Sequence, residues 1–530
     1  MSDQPAPHDV VIVGSGAAGG WVAKDLSEAG LRVLVLEAGP ERALETLSAG
    51  DSAGAMLVRL ARRLRDRQPL QRQHPAYHRL DPDLFVDDRD EPYAVPPGRP
   101  FVWIRGRQVG GRTLTWSRMT QRLSAEQLAD WPVAYDELAP YYERVERFLG
   151  VCGGREGVDD LPDGAVAAPP AWTAAEQRFA AEVERRLPGT RVLRARGVPV
   201  QDGDLPAGRW PRHTSQGSTL LAALDSGRVE LITGATALGV ELGEGGRASG
   251  VRYHDARSRC PQIARARAVV LCASTIETIR LLLGSRSARH PNGLGNARGL
   301  LGRGLMDHVT VSATAEIRGV RADHAAGRVG GANGFIVLPS QMPRPRRFAV
   351  WGAAGRSMGA LPIAPLSEPL AQLAERVRPA SARVLLVAQG EVAARPENRV
   401  SLDPLRRDAR GVPLARIEFS WSDAERARFV RMRACLVDLL AAGRARVRSI
   451  SGDLPSPGLF VHELGGAPMG RDPRVSVLDP YGCCWEANNV YVCDGSAFPS
   501  SGWQGPALTI MALAARVAAH LAGELRAGRY

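Results

Sequence analysis

The chain has 530 residues but a single lysine, Lys24, so nearly all of its 68 basic side chains are arginines. Its formal net charge is +12, enough to steer anionic ligands or nucleic acid toward it. Aromatic residues are scarce at 5%. None interleaves the two arginine clusters, Arg59 to Arg72 and Arg344-Pro-Arg-Arg347. Without stacking surfaces for bases, nucleic acid is not an expected partner. The first cluster accompanies Met56, Leu57, Leu60 and Leu64 at helical spacing, which predicts an amphipathic surface helix. Long apolar runs are also missing: the most apolar stretch, Ala507 to Ala519, is interrupted by Arg516 and falls short of the roughly 18 residues of a membrane span. The opening Met1-Ser-Asp-Gln-Pro-Ala-Pro7 has neither a basic start nor an apolar core, so a cytoplasmic location is the default expectation. Seven cysteines (152, 260, 272, 435, 483, 484 and 493) form no CxxC or CxxCH motif. They read as reduced thiols, with no metal site and no c-type haem.

Against these absences stands Asp9-Val-Val-Ile-Val-Gly-Ser-Gly-Ala-Ala-Gly-Gly-Trp21, followed by Leu31-Arg-Val-Leu-Val-Leu-Glu37-Ala-Gly-Pro40. The order is strand, glycine turn, helix, strand and an acid, the pattern of a dinucleotide-binding unit. Gly14 permits the tight turn, Gly16 lets backbone amides approach a pyrophosphate, and Gly19 lets the helix pack against the sheet. Glu37 ends the second strand, where a carboxylate can accept hydrogen bonds from a ribose. The motif alone leaves NAD and FAD open.

The remainder is too long for one ordinary core. Residues 41 to 96 are polar, with little strand pattern. A second glycine turn lies in Arg105-Gly-Arg-Gln-Val-Gly110-Gly111-Arg-Thr-Leu-Thr-Trp116, and a helix follows Trp131. His213 to Leu224 reads as a capped helix, Val229 to Thr233 as a strand, and Ala268 to Ser274 as a buried strand entering a helix. Between 306 and 455, short apolar runs (Arg383 to Gln389, Val400 to Leu402, Ala415 to Phe419) predict an antiparallel sheet. Glycine turns then return, with a strand at Val490 to Cys493 and a long final helix.

Several of these stretches are shared with one family. The N-terminal fingerprint, Gly110-Gly111 ahead of Trp116, and Ala273-Ser-Thr-Ile-Glu-Thr-Ile-Arg-Leu-Leu-Leu-Gly-Ser285 resemble motifs of the glucose–methanol–choline oxidoreductases. So do His462-Glu-Leu-Gly-Gly-Ala-Pro-Met-Gly470, Asp494-Gly-Ser-Ala-Phe-Pro499 and Gln504-Gly-Pro-Ala-Leu-Thr-Ile-Met-Ala-Leu-Ala514. The matches run in family order from residue 9 to 520, and the closest likeness is to bacterial sugar, polyol and aminosugar alcohol dehydrogenases. The resemblance implies FAD. It also implies a fold: a Rossmann-like α/β cofactor domain (1–150, 205–305 and 456–530) and an α+β substrate domain on an antiparallel sheet (151–204 and 306–455). It places Gly14, Ser15, Gly16, Ala18, Gly19, Glu37, Ala38, Arg107, Val109, Gly110, Gly111, Thr115, Trp116, Ala237, Ala273, Asp494, Gly495 and Pro506 around the cofactor. Thr236 and Leu238 would flank the adenine with Ala237, and His308 would help connect the domains.

The implied reaction oxidises a hydroxyl to a carbonyl, with His462 as the base that takes the hydroxyl proton. The chain departs from the family twice. Where relatives carry a second histidine or asparagine to hold the reacting oxygen, this chain has Gly505. Gln504 turning inward, a water, or the substrate itself would have to fill that place, so Gln504 and Gly505 join His462 as catalytic candidates. Some relatives also bind FAD covalently through a histidine at the position of Thr115. Threonine cannot form that bond, and non-covalent FAD is expected. Trp485 and Trp503 are candidates for stacking on a sugar ring, and Glu463 for an acid facing a cationic one. The expected substrate is a sugar, aminosugar or polyol, with an aminoglycoside-pathway primary alcohol as the narrower form. The electron acceptor stays open among oxygen, a quinone and an electron-transfer protein. The rival readings are a lyase with a redox-idle flavin and a non-catalytic flavoprotein.

Overall fold

The computed structural model describes residues 8–43, 61, 64–78, 80–199, 210–320, 322, 327, 329–340, 342, 344–356 and 381–530. Met56, Leu57 and Leu60 of the expected surface helix lie outside these residues. Leu64 lies inside and is exposed, so it contributes nothing to a buried stripe.

The first sheet joins both chain ends. Its parallel strands are β1 (His8–Val13), β2 (Val33–Glu37), β4 (Val229–Thr233), β7 (Cys260–Leu271) and β16 (Ala487–Val492), with the antiparallel β15 (Cys483–Cys484) at one edge. The order across the sheet is β15-β16-β7-β1-β2-β4. Val10 to Val13, Leu34 to Leu36 and Ala268 to Leu271 are buried throughout, as a parallel sheet covered on both faces requires. β7 serves three partners. Its second half lies between β1 and β16, while its first half pairs antiparallel with β6 (Ala248–Asp255), which in turn pairs with β5 (Ala235–Leu242).

Helix α1 (Ala17–Glu28) packs on β1 because glycine stands at the contact. A Cβ on Gly19 would lie 1.8 Å from the Gly14 carbonyl oxygen. Gly14 itself adopts φ +101°, and a Cβ there would meet Cys272 O at 2.5 Å. α1 also packs against the final helix, labelled α7 (Ala507–Arg526), which in turn touches α2 (Tyr135–Leu149). By length and composition α7 is apolar enough to cross a membrane, yet most of it is buried inside the fold. The helix expected from His213 begins only at Thr219, as α4 (Thr219–Asp225). In the turns before it, Thr214 Oγ1–H donates locally to Pro211 O, and Ser215 Oγ–H donates to Ser15 O in the first glycine turn.

The second sheet is antiparallel throughout, in the order β14-β8-β11-β10-β9-β3. Its strands are β3 (Arg191–Arg194), β8 (Val309–Arg318), β9 (Phe335–Leu338), β10 (Phe348–Ala354), β11 (Ser381–Gly390) and β14 (Arg446–Ile450). Helices α3 (Ala174–Arg186) and α6 (Asp423–Ala442) cover one face. The other face carries Trp351 and Val387, paired across β10 and β11. One expectation needs correction here. The runs at 400–402 and 415–419 do not join this sheet. They form a separate hairpin, β12 (Arg399–Arg407) with β13 (Pro413–Glu418), which packs on α5 (Thr275–Gly284). Val400, Ala415 and Ile417 are buried by that contact rather than by the sheet.

The Gly19 contact has a direct test. Gly19→Ala drives a methyl group into backbone that has no room for it, and is expected to destabilise the protein by about 1–3 kcal/mol or more. Urea unfolding of parent and variant measures the difference.

Candidate functional site

A cleft of about 440 Å³ opens at the carboxyl ends of β1, β2 and β7 and is closed from the opposite side by β10 and β11. This is where open α/β sheets place ligands. Of the residues nominated from sequence, Gly14, Gly16, Ala18, Ala38, Arg107, Gly111, Thr115, Trp116, Ala237, Ala273, His462, Asp494, Gly495, Gly505 and Pro506 line it, as do Thr236, Leu238 and Glu463. Ser15, Gly19, Glu37, Val109, Gly110 and Gln504 are not part of that lining. Trp503 packs with the second sheet's apolar cluster, and Trp485 is partly exposed with its indole N–H donated to Ser476 Oγ. Trp485 does not face the cleft.

The residues present fit a dinucleotide. Two helices begin at the cleft, α1 after Gly16 and α7 after Pro506, and both lack a side-chain cap and an acid in the first turn. By contrast, α3 and α6 satisfy their first-turn amides with capping boxes from Thr173 and Ser422. The N–H groups left open at α1 and α7 attract negative charge, such as a pyrophosphate or an anionic ring.

Glu37 sits behind this surface with its carboxylate turned inward. Oε2 accepts from Ser15 N–H at 3.0 Å and Ser15 Oγ–H at 2.6 Å, and Oε1 accepts from Gly39 N–H at 2.8 Å. A carboxylate has about four acceptor positions, and the protein's own donors take three of them. Burial pushes its pKa up, against the hydrogen bonds from Ser15 and Gly39. Asp494 is likewise buried; it accepts from Ser496 Oγ–H at 2.6 Å and Thr278 Oγ1–H at 2.5 Å.

His462 reaches the cleft from a tightly held loop. Its backbone N–H donates to Asp307 Oδ1 at 3.3 Å, and Gly458 N–H donates to Asp307 Oδ2 at 2.8 Å. The residue before it, Val461, has φ +58°, a strained conformation for a β-branched side chain. Arg112 holds that turn, donating to Val461 O and to Glu463 Oε2, each at 2.8 Å. Phe460 stands edge-on to the His462 ring at 4.8 Å, and His462 Nδ1 lies 3.0 Å from His308 Nδ1. Burial, with His308 and Arg112 beside it, holds His462 well below the ordinary imidazole pKa. The ring is therefore neutral and able to accept a proton.

The possibility that Gln504 turns inward does not match its placement. Its amide N–H donates to Gln127 Oε1, and its oxygen accepts from Trp503 N–H at 3.1 Å. The local backbone thus commits both ends of that side chain away from the cleft. Gln121 is what borders the gap. It is buried and lines the cleft, and its Oε1 lies 3.6 Å from where a Cβ on Gly505 would stand. Its Nε2 is buried without a hydrogen-bond partner. Sequence reading missed Gln121, because nothing in Met119-Thr-Gln-Arg122 distinguishes it. The one available signal was negative: a missing side chain at Gly505 implies that a polar group elsewhere borders the space.

Family models described as GMC oxidoreductase match residues 9–310 and 394–514. The chain is 27% identical to 2-methyl-1,2-propanediol dehydrogenase of Mycolicibacterium austroafricanum, over 97% of this chain and 95% of that protein. It is 27% identical to paromamine 6'-oxidase of Streptomyces fradiae, over 99% of this chain and 93% of that protein. Among solved structures, pyridoxine 4-oxidase from Mesorbium loti superposes with a TM-score of 0.65 at 20% identity, covering 97% of this chain and 99% of the other.

Asp307 yields a prediction about pH. Burial, with Glu463 nearby, raises its carboxyl to about 7, against about 3.9 in an unfolded chain. Between those values the native state binds more protons. The stabilising contribution of Asp307 is therefore full below about pH 4 and is lost as pH rises through about 7. Asp307→Asn stays neutral throughout. From pH 4 to pH 8 its stability relative to the parent is expected to improve by about 2–4 kcal/mol, measured by denaturant unfolding of the holoenzyme at each pH.

Proposed function

Because the chain belongs to the GMC oxidoreductases, FAD-dependent enzymes that oxidise alcohols, we propose that it oxidises a hydroxyl of an uncharged sugar- or polyol-like molecule to a carbonyl, with His462 as general base and FAD held without a covalent bond. FAD bound in the cleft supplies the hydride-accepting chemistry. The protein's task is to orient the alcohol and take its proton. The observation that carries this reading is His462 itself, a neutral imidazole half-buried in the cleft wall. A positioned base of this kind contributes about 10² to 10⁴ in rate.

Gln121 takes the place that Gly505 leaves open. A carboxamide bordering that space offers a donor or acceptor to the reacting oxygen without adding charge. The rest of the cleft wall near His462 is largely apolar, with Met119, Trp351, Val387 and Phe460, plus the amide of Gln389. Among the described residues, every acid lining the cleft already has a partner, although Glu463 keeps its Oε1 buried without one. Glu463 pairs with Arg112 at 2.8 Å, Glu277 with Arg280 at 2.7 Å, and Asp494 with Ser496 and Thr278. Of the two alcohol classes named for the relatives above, this lining favours a neutral diol or polyol over an aminosugar, whose ammonium groups would need a free acid. Non-covalent FAD is supported at Thr115, whose hydroxyl instead donates to Arg112 O at 3.3 Å.

The test is anaerobic mixing of the holoenzyme with neutral polyols and sugars and with cationic aminosugars, following the flavin's visible absorbance. Bleaching by the neutral set is the expected result. Bleaching by aminosugars alone would overturn the substrate class, and no bleaching by any alcohol would favour the lyase. Admitting air afterwards separates an oxidase from an enzyme needing another acceptor. His462→Ala should retain FAD but bleach about 10²–10⁴ times more slowly. Gln121→Ala should lower kcat/KM about 10- to 100-fold, the cost of one lost hydrogen bond to a charge-bearing oxygen.

A further inference from the structure

His308 lies outside the cleft lining, fully buried at the start of β8. Its ring nitrogens make one polar contact each. Nε2 is 3.0 Å from the Gly502 carbonyl oxygen, and Nδ1 is 3.0 Å from His462 Nδ1. A carbonyl oxygen only accepts, so His308 Nε2 carries the hydrogen. Burial lowers the His308 pKa to about 4, which leaves its ring neutral and its Nδ1 a bare acceptor. The contact between the two Nδ1 atoms is then a hydrogen bond in only one way: His462 Nδ1–H donates to His308 Nδ1. That assignment leaves the lone pair of His462 on Nε2.

We propose that His308 is a positioning residue that fixes the tautomer of His462, anchored by the Gly502 carbonyl, so that the base presents an unprotonated Nε2 for the alcohol proton. The chain of donors runs from His462 Nδ1–H to His308 Nδ1, and from His308 Nε2–H to Gly502 O. It also sets the ring plane of His462, which stands perpendicular to Phe460. When Nε2 accepts the substrate proton, the imidazolium keeps the same Nδ1–H hydrogen bond, now strengthened by charge. No proton needs to leave His308. The other charged or titratable groups facing His462 do not perform this task. Arg112 is engaged with Val461 O and Glu463, and Asp307 takes the His462 backbone N–H rather than its ring. A fixed tautomer matters because an imidazole with its hydrogen on the substrate side cannot act as a base at all.

This inference rests on His462 being the base, and the experiment separates the two. Histidine-selective ¹⁵N labelling of the oxidised holoenzyme reports the tautomer of each ring without any turnover. The expected spectrum shows His462 protonated on Nδ1 and His308 protonated on Nε2. His462 protonated on Nε2, or His308 on Nδ1, would overturn the proposal whatever the activity. His308→Leu removes the acceptor, and His308→Asn keeps an oxygen near the lost Nδ1. His308→Leu is expected to slow flavin reduction at saturating alcohol about 100-fold, within the range a general base supplies, with KM changed less than threefold. His308→Asn should recover most of that loss. Equal rates in parent and His308→Leu would also overturn the positioning role. If His462→Ala turns over like the parent, the base assignment fails, while the tautomer spectrum still stands as a separate result.

Discussion

Around the cleft, the structure depends on one buried carboxylate that forms no ion pair among the described residues. Glu37 accepts both hydrogens that Ser15 offers, and Ser15 passes the connection on. Its Oγ accepts from Gly110 N–H at 3.0 Å, and its carbonyl accepts from Ser215 Oγ–H at 2.9 Å. Ser215 N–H in turn donates to Thr113 Oγ1 at 2.9 Å. Four chain segments far apart in sequence are thus held in register by one short network. Each unpaired group inside it would cost about 1–3 kcal/mol, so the network persists only when complete. The glycine turn, the end of β2 and the loop at Gly110–Gly111 therefore take up their positions together.

Strain is the second constraint. Val461 at φ +58° and Ser274 at φ +75° both border the cleft, and such residues cost about 1–3 kcal/mol each. They persist because neighbours over-determine them: Arg112 grips the Val461 carbonyl, and Thr275 Oγ1–H donates to Glu463 O at 2.6 Å. The effect is to point His462 out of a loop that would otherwise follow an easier path.

What the sequence made legible was local. Gly14, Gly16 and Gly19 show their roles within six residues of one another, because a turn and a helix contact are short-range events. His462 was nominated through the motif around it. The Glu37 expectation was less complete: spacing places an acid at the end of β2 but does not say which donors claim its oxygens. The contact of His308 with His462, beyond the domain-connecting place the motif gave it, and the part played by Gln121 were out of reach for a different reason. His308 meets His462 only because the chain crosses from one sheet to the other between them, and Gln121 meets Gly505 across nearly four hundred residues. The hairpin at 399–418 was misplaced for the same cause. Its alternation reveals a half-buried strand but not which surface buries it, and helix α5 won over the second sheet.

The crossing of the chain between its two sheets has a consequence for how the protein acquires its shape. β1 is at the start of the chain, its neighbour β7 lies some 250 residues on, and β16 closes the same sheet near the other end. Loop closure over such distances must precede the contacts that reward it, and topologies of this kind fold slowly. The first sheet is complete only once β15 and β16 are in place, whereas the second closes with β14. Synthesis in chain order therefore leaves the first sheet, and the cleft at its strand ends, unfinished until β16 has emerged.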